Sequence, residues 1–183
     1  MDAKLPNLPE RKSIRLEGFD YSDAGCYFIT LCAKDRLHIF WESTPSHASV
    51  GANCVRPPLS NAGIIVENEI SRISGTYESV SIERHIVMPN HLHMILRIRD
   101  SGRTQFAPTG ESQDLTEQLN AAPTLSRIVK QFKGSVSKQI GFPIWQRSFH
   151  DRIIRDHAEY LRFCSYVDEN PARWGEDEYF TTG

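Results

Sequence analysis

The stretch Arg84-His-Ile-Val-Met-Pro-Asn-His-Leu-His-Met-Ile-Leu-Arg-Ile98 constrains the fold more than any other part of this 183-residue chain. Two apolar runs rich in β-branched residues flank Met88-Pro89-Asn90. The second opens His91-Leu92-His93 and stays apolar to Ile98, the pattern of a buried central strand joined by a turn to its neighbour in a hairpin. Side chains alternate across a strand, so His91 and His93 leave one face while Leu92 and Met94 leave the other. Two neighbouring imidazoles on a rigid strand form one side of a metal clamp. A catalytic centre also requires another nitrogen or oxygen ligand, an open position and a nucleophile, and a His-x-His pair without these is more often ordinary packing.

The length suits one domain with a proper core and is short for two. No apolar run is long enough to span a bilayer, and the opening Met-Asp-Ala-Lys-Leu-Pro lacks the apolar centre of a secretion signal, so the expectation is a cytoplasmic protein with no membrane partner. Cys26, Cys32, Cys54 and Cys164 show no Cys-x-x-Cys spacing, which argues against a zinc knuckle or a disulfide framework. A net charge of -2 does not announce a nucleic-acid binder, but the charge is unevenly spread. Between Thr124 and Arg162 eight basic residues stand against three acidic ones, whereas from Tyr166 to Gly183 five acidic residues stand against Arg173 alone.

In chain order, a polar, proline-containing arm of about residues 1–22 carries the basic cluster Arg11, Lys12 and Arg15. Cys26-Tyr-Phe-Ile-Thr-Leu-Cys32, entered through Gly25, predicts a central strand. Residues 43–58 look like an irregular excursion. Ser60 can cap a helix running to about Ser71, with Ile64, Ile65, Asn68 and Glu69 on its core-facing period and Gly75 as a stop. Glu78 to Met88 and His91 to Ile98 follow as strands. Residues 100–123, poor in apolar side chains and heavy in Gly, Ser, Thr and Gln, predict a mobile loop. Thr124 then caps an amphipathic helix whose stripe is Leu125, Ile128, Val129, Phe132 and Val136. Ile144 to Arg155 mixes aromatic and basic residues in an extended segment, a composition suited to stacking on bases and pairing with phosphates, although Trp145 and Phe149 suit a core equally well. His157 to Asn170 predicts a helix terminated by Pro171.

On that last helix Tyr166 and Asn170 stand at i and i+4, on one face. A tyrosine hydroxyl with an ordinary pKa near 10 is a poor nucleophile unless its electrophile is polarised, which a neighbouring metal can do. The Asn170 amide oxygen would be a hard third ligand beside His91 and His93. Taken singly, Tyr166 also suits a packed helix residue and Asn170 a helix end.

Together, Met88-Pro-Asn-His-Leu-His93, Trp145-Gln-Arg-Ser-Phe149 and Tyr166-Val-Asp-Glu-Asn-Pro171 resemble the single-tyrosine HUH transposases of the insertion-sequence-200-like group, specifically the REP-associated tyrosine transposases. Lys12-Ser-Ile-Arg-Leu16 and Gly25-Cys-Tyr-Phe-Ile-Thr30 are similar to that branch too, so the resemblance runs through nearly the whole chain in order. It implies an α+β, ferredoxin-like or RRM-like domain: an antiparallel sheet carrying His91 and His93, with helices packed on it. It further implies Tyr166 as the catalytic nucleophile on single-stranded or hairpin DNA, Mg²⁺ or Mn²⁺ held by His91, His93 and Asn170, and a 5′-phosphotyrosine intermediate with a free 3′-hydroxyl. By the same analogy Arg11, Lys12, Arg15, Arg97, Lys130, Lys133, Arg147 and Arg152 become DNA contacts. Insertion-sequence relatives exchange tyrosine helices within a homodimer while the repeat-associated branch includes monomers, so both states stay open. Two other readings compete: a non-cleaving RRM-like protein that binds repeats, and a metal-dependent hydrolase using Asp151 as general base.

Overall fold

A computed structural model describes residues 24–42, 57–100 and 124–181. The expected N-terminal arm, most of the excursion at 43–58 and the loop at 100–123 lie outside the described residues. The described chain runs β1 (Gly25–Cys32), α1 (Asn61–Thr76), β2 (Val80–Val87), β3 (His91–Ile98), α2 (Leu125–Ile140), β4 (His150–Ile154) and α3 (His157–Glu169). The strands form one antiparallel sheet in the order β2-β3-β1-β4. This βαββαβ succession, with the first and third strands central, is the ferredoxin-like arrangement.

Register decides what each face carries. Direct partners across an antiparallel pair point the same way. Opposite His91 and His93 on β3 stand Cys32 and Thr30 on β1, and opposite Arg97 stands Cys26. On β4, His150, Arg152 and Ile154 pair with Thr30, Phe28 and Cys26, so they share the histidine face. The other face presents Tyr27, Ile29, Leu31, Leu92, Met94, Leu96 and Ile98, all buried, in one cluster with Val66, Ile70 and Ile73 of α1 and Ile128, Val129 and Phe132 of α2. Helix α3 crosses the histidine face, touching β2, β3 and β4. Among the described residues no helix is long and apolar enough to cross a membrane.

The expected bounds and face of α1 need correcting. Helix α1 runs through Gly75 to Thr76, and its buried face is Gly63, Val66, Ile70 and Ile73, whereas Ile64 is exposed. A stripe one residue out of phase was read because Ile64 and Ile65 are the bulkiest apolar pair there. Burial follows the close approach of the helix start to Phe40, whose carbonyl accepts from the Ser60 amide. The expected hairpin of β2 and β3 forms, and its turn is packed: Met88 and Asn90 are fully buried, and the Pro89 and Asn90 carbonyls accept from Ile39, Phe40 and Ala33 of the segment after β1. Trp145 belongs to the core, beside Phe40 and Phe132. Helix α3 ends at Glu169, just ahead of Pro171, as expected, and a 3₁₀ segment, Asn170–Glu176, then carries the chain back towards the sheet.

Gly63 makes the approach of α1 possible, because a Cβ there would stand 2.1 Å from the Phe40 carbonyl oxygen. Gly63→Ala is therefore expected to destabilise the protein by roughly 1–3 kcal/mol through overpacking against backbone, read as a lowered midpoint in urea unfolding. An unchanged midpoint would contradict this packing.

Candidate metal and tyrosine centre

His91 and His93 open the central strand β3, at one end of the sheet, and are essentially inaccessible to water. Burial drives both towards the neutral form: the His93 pKa is pulled down to about 3 and that of His91 well below its ordinary value, the latter also by its neighbouring His93 and by Arg36. Neutral imidazoles are metal-competent ligands.

Their outer nitrogens are held by the surrounding chain. Asn90 donates through Nδ2 to the Tyr179 carbonyl at 2.9 Å, which orients its amide so that Oδ1 faces His91 Nδ1 at 2.9 Å. An amide oxygen can only accept, so Nδ1 of His91 carries the proton and Nε2 presents its lone pair to the site. His93 Nδ1 lies 2.8 Å from the Thr30 hydroxyl, which serves either tautomer. The two Nε2 atoms are 3.0 Å apart, the separation of two nitrogens each about 2.1 Å from one ion and meeting near a right angle.

The oxygen side comes from α3 and the 3₁₀ segment after it. Tyr166 Oη lies 3.3 Å from His93 Nε2, and its ring meets His93 and Phe28 edge-on. Asn170, one turn on, is buried and its Oδ1 has no hydrogen-bond partner, so an acceptor has been stripped of water without compensation. Asp177, which the sequence reading passed over as part of an acidic tail, closes the group. Its carboxylate lies 3.9 Å from His91 Nε2, and single donor atoms of His91, His93 and Asp177 all fall within 4.8 Å of one another. With His91 neutral that approach is no ion pair. Burial raises the Asp177 pKa, against hydrogen bonds from the Tyr179 amide, Asn170 and Tyr166. Burial, then the Asp177 charge, pushes the Tyr166 phenol up to about 12. Two imidazole nitrogens with an orphaned amide oxygen and a carboxylate are a donor set that fits a divalent ion.

Tyr179 and Arg36 also escaped the sequence reading. Tyr179 packs 4.7 Å from the His91 ring, and Arg36 lies over the Tyr179 ring while donating to the Glu178 carbonyl at 3.2 Å. Asp35 and Arg36 are both left-handed, with φ of 55° and 54°, a strained pair of non-glycine residues next to the site. A run of Lys-Asp-Arg carries no sequence signal for that conformation.

Of the expected DNA contacts, Arg97 and Arg152 stand on the histidine face, and Arg147 is exposed on the loop that Gln146 ties to the Cys32 carbonyl. Lys130 is exposed on α2, in the opposite layer. Lys133 is half-buried and its ammonium donates to the carbonyls of Gln146, Arg147 and Ser148, so it anchors that loop. Arg11, Lys12 and Arg15 lie outside the described residues. Asp151, the carboxylate of the hydrolase reading, pairs with Ile29 and points away from the histidines, so that role cannot be its own; the carboxylate at the site is Asp177.

The fold and this centre define a class: a ferredoxin-like α+β domain with a buried His-x-His pair on its central strand and a tyrosine helix laid across it. No family model matches the chain. It is 29% identical over 179 residues to an uncharacterized protein of Haemophilus influenzae, covering 94% of both chains. It is 20% identical over 163 residues to a protein of the same organism named "Putative REP-associated tyrosine transposase", covering 85% of this chain and 75% of that one. Among solved structures, a REP-associated tyrosine transposase bound to a REP hairpin shares the fold at a TM-score of 0.51 and 17% identity, over 90% of this chain and 74% of the other. The chain thus resembles the REP-associated tyrosine transposases in sequence and in fold over most of its length, as its motifs imply.

Two outcomes follow from the histidine geometry. The unfolded chain protonates its histidines near pH 6.5 while folded His93 does so only near 3, so stability should fall as pH drops through that window, by about 1.4 kcal/mol per unit for that histidine. The raised Asp177 carboxyl partly offsets this at the acid end. Urea midpoints from pH 7.5 to 4 should show the decline and His93→Gln should flatten it. Asn90→Ala, which frees the His91 ring, is expected to weaken Mn²⁺ binding about 10–100-fold by calorimetry; unchanged affinity would remove Asn90 from any orienting role.

Proposed function

We propose that this protein is a metal-dependent single-stranded DNA endonuclease and strand transferase, a tyrosine transposase that acts at hairpin-forming repeat DNA through a 5′-phosphotyrosine intermediate. The observation that carries the reading is the Tyr166 hydroxyl 3.3 Å from Nε2 of His93 in a buried dyad. A sheet that merely bound nucleic acid would have no use for neutral, water-free imidazoles with a phenol beside them.

His91, His93 and Asn170 would hold Mg²⁺ or Mn²⁺, with Asp177 as a further oxygen donor within reach. Such an ion supplies Lewis-acid polarisation of a phosphodiester oxygen. The chain's own residues do the rest. Helix α3 presents Tyr166 Oη from a rigid scaffold, pinned by Phe163 stacked on Phe28 at 4.5 Å. The phenol starts protonated, and the Asp177 carboxylate hydrogen-bonded to it, more basic than an exposed one, accepts the proton. The phenolic oxygen then bonds to phosphorus as the bond from phosphorus to the 3′ oxygen breaks, and that oxygen leaves as a 3′-hydroxyl after taking up a proton. The covalent link conserves the phosphodiester, so a second 3′-hydroxyl reverses the attack and joins strands without ATP. Arg97, Arg147 and Arg152 suit neutralisation of flanking phosphates, and Arg11, Lys12 and Arg15 suit contacts at the hairpin foot. The REP hairpin bound by the structural neighbour supports hairpin DNA as substrate.

Incubation with labelled hairpin oligonucleotides and Mg²⁺ or Mn²⁺, followed by a denaturing gel, should give a protein-linked band that Tyr166→Phe and His91→Ala abolish. Asp177→Asn should slow its formation by about 10²–10⁴-fold. Cutting without an adduct would favour a water nucleophile, and binding without cutting across many hairpins would favour the RRM-like binding protein.

A further inference from the structure

The histidine face continues well beyond the tyrosine centre. Four residues past His93 on β3, and so on the same face about 13 Å away, stands Arg97. Beside it open the Cys26 end of β1, the Ile154 end of β4, and the start of α3 with Arg155, His157 and Tyr160, enclosing a cleft of about 490 Å³. Helix α3 runs antiparallel to β3, and nine residues separate His157 from Tyr166, again about 13 Å. Strand and helix therefore agree: one face, roofed by one helix, has the reactive tyrosine at one end and this cleft at the other.

The cleft is built for one chemistry. Arg155 is exposed, and the Arg97 guanidinium sits 5.9 Å from the centre of the Tyr160 ring, so a cation and an aromatic face share one wall. Arg97 also pairs with Glu83 at 3.1 Å through Nε. The His157 and Tyr160 rings lie nearly parallel, 19° apart in plane, with centres separated by 6.2 Å. The one acid lining the cleft, Asp156, is engaged in capping α3, accepting from the Glu159 amide at 2.7 Å. Two guanidinium groups beside two flat rings match a phosphate joined to a base, and the volume lies within the roughly 300–1,000 Å³ of small-molecule sites.

We infer that this cleft is a nucleotide subsite, in which Arg97 and Arg155 grip a backbone phosphate of single-stranded DNA and Tyr160 or His157 stacks on its base. The inference rests on the proposed DNA-cleaving function and gives it a direction: the strand runs along α3 from Tyr166 towards His157.

The test measures equilibrium binding of fluorescein-labelled dT20 against salt, with the full chain in the Tyr166→Phe form so that cleavage plays no part. Each phosphate contact on a single strand contributes about 0.7 to the slope of log affinity against log salt. Because the two arginines share one phosphate, Arg97→Gln with Arg155→Gln should lower the slope by about 0.7 and weaken binding roughly fivefold at 0.1 M salt. Arg155→Gln alone, at an exposed side chain, should give about half that change in slope even if loss of the Glu83 pair loosens the double variant. Arg127→Gln with Lys138→Gln on α2, the same charge loss in the opposite layer, should leave the slope unchanged. The inference is overturned if Arg155→Gln keeps the native slope, if the α2 pair shifts it as much, or if the protein does not bind dT20. The hairpin adduct assay judges the cleavage reading separately, since a missing adduct with a changed slope leaves the subsite standing.

Discussion

Burial of two imidazoles on the central strand of a sheet is the constraint on which the rest of this structure depends. Deprived of water, His91 and His93 must be neutral, and each ring nitrogen must find a partner or face a ligand. The surroundings meet that demand residue by residue: Asn90 and Thr30 take the outer nitrogens, while Tyr166 and Asp177 approach the inner pair. The cost of holding polar rings in the core is offset by the opposite sheet face, where buried apolar side chains from β1 and β3 meet α1 and α2.

The two faces thus divide the work. One is a dry layer whose only task is stability. The other is the histidine face, roofed by α3, where rings stack in series, Phe163 on Phe28 and Phe28 on His93. That stack couples the tyrosine helix to the histidines, so a shift of α3 would be felt at both ends of the face. The tail after α3 has an equal part. The 3₁₀ segment brings Asp177 and Tyr179 against His91, and the strained Asp35–Arg36 pair clamps it there through the Glu178 carbonyl and the Tyr179 ring. Strain kept beside a reactive centre is the usual sign that geometry there matters more than local comfort.

Much of this was legible in the chain because periodicity carries it. The alternation through His91 to Ile98 announced a central strand with both histidines on one face, and the stripe from Leu125 to Val136 announced α2 with the buried residues observed. The i, i+4 spacing of Tyr166 and Asn170 survived as a shared approach to one site. What misled was composition without contacts. Ile64 and Ile65 drew attention from Val66 and Ile70, the face that actually meets the sheet, and the aromatic run at Trp145 held core packing within a segment that also looked suited to nucleic acid.

The sequence by itself determined the elements, the pairing of His91 with His93, and the helix that carries Tyr166, because each is a property of residues a few positions apart. Tertiary structure decided which carboxylate reaches the site. Asp151 and Asp177 are alike in sequence terms, yet register turns the first into the opposite layer beside Ile29, and a 3₁₀ turn after Pro171 folds the second to within 3.9 Å of His91. It likewise decided that Asn90 orients His91 and that Lys133 holds a loop instead of facing solvent. Such roles depend on contacts between residues distant in the chain, Asn90 with Tyr179 and Arg36 with Glu178, and no local pattern encodes a distance of that kind.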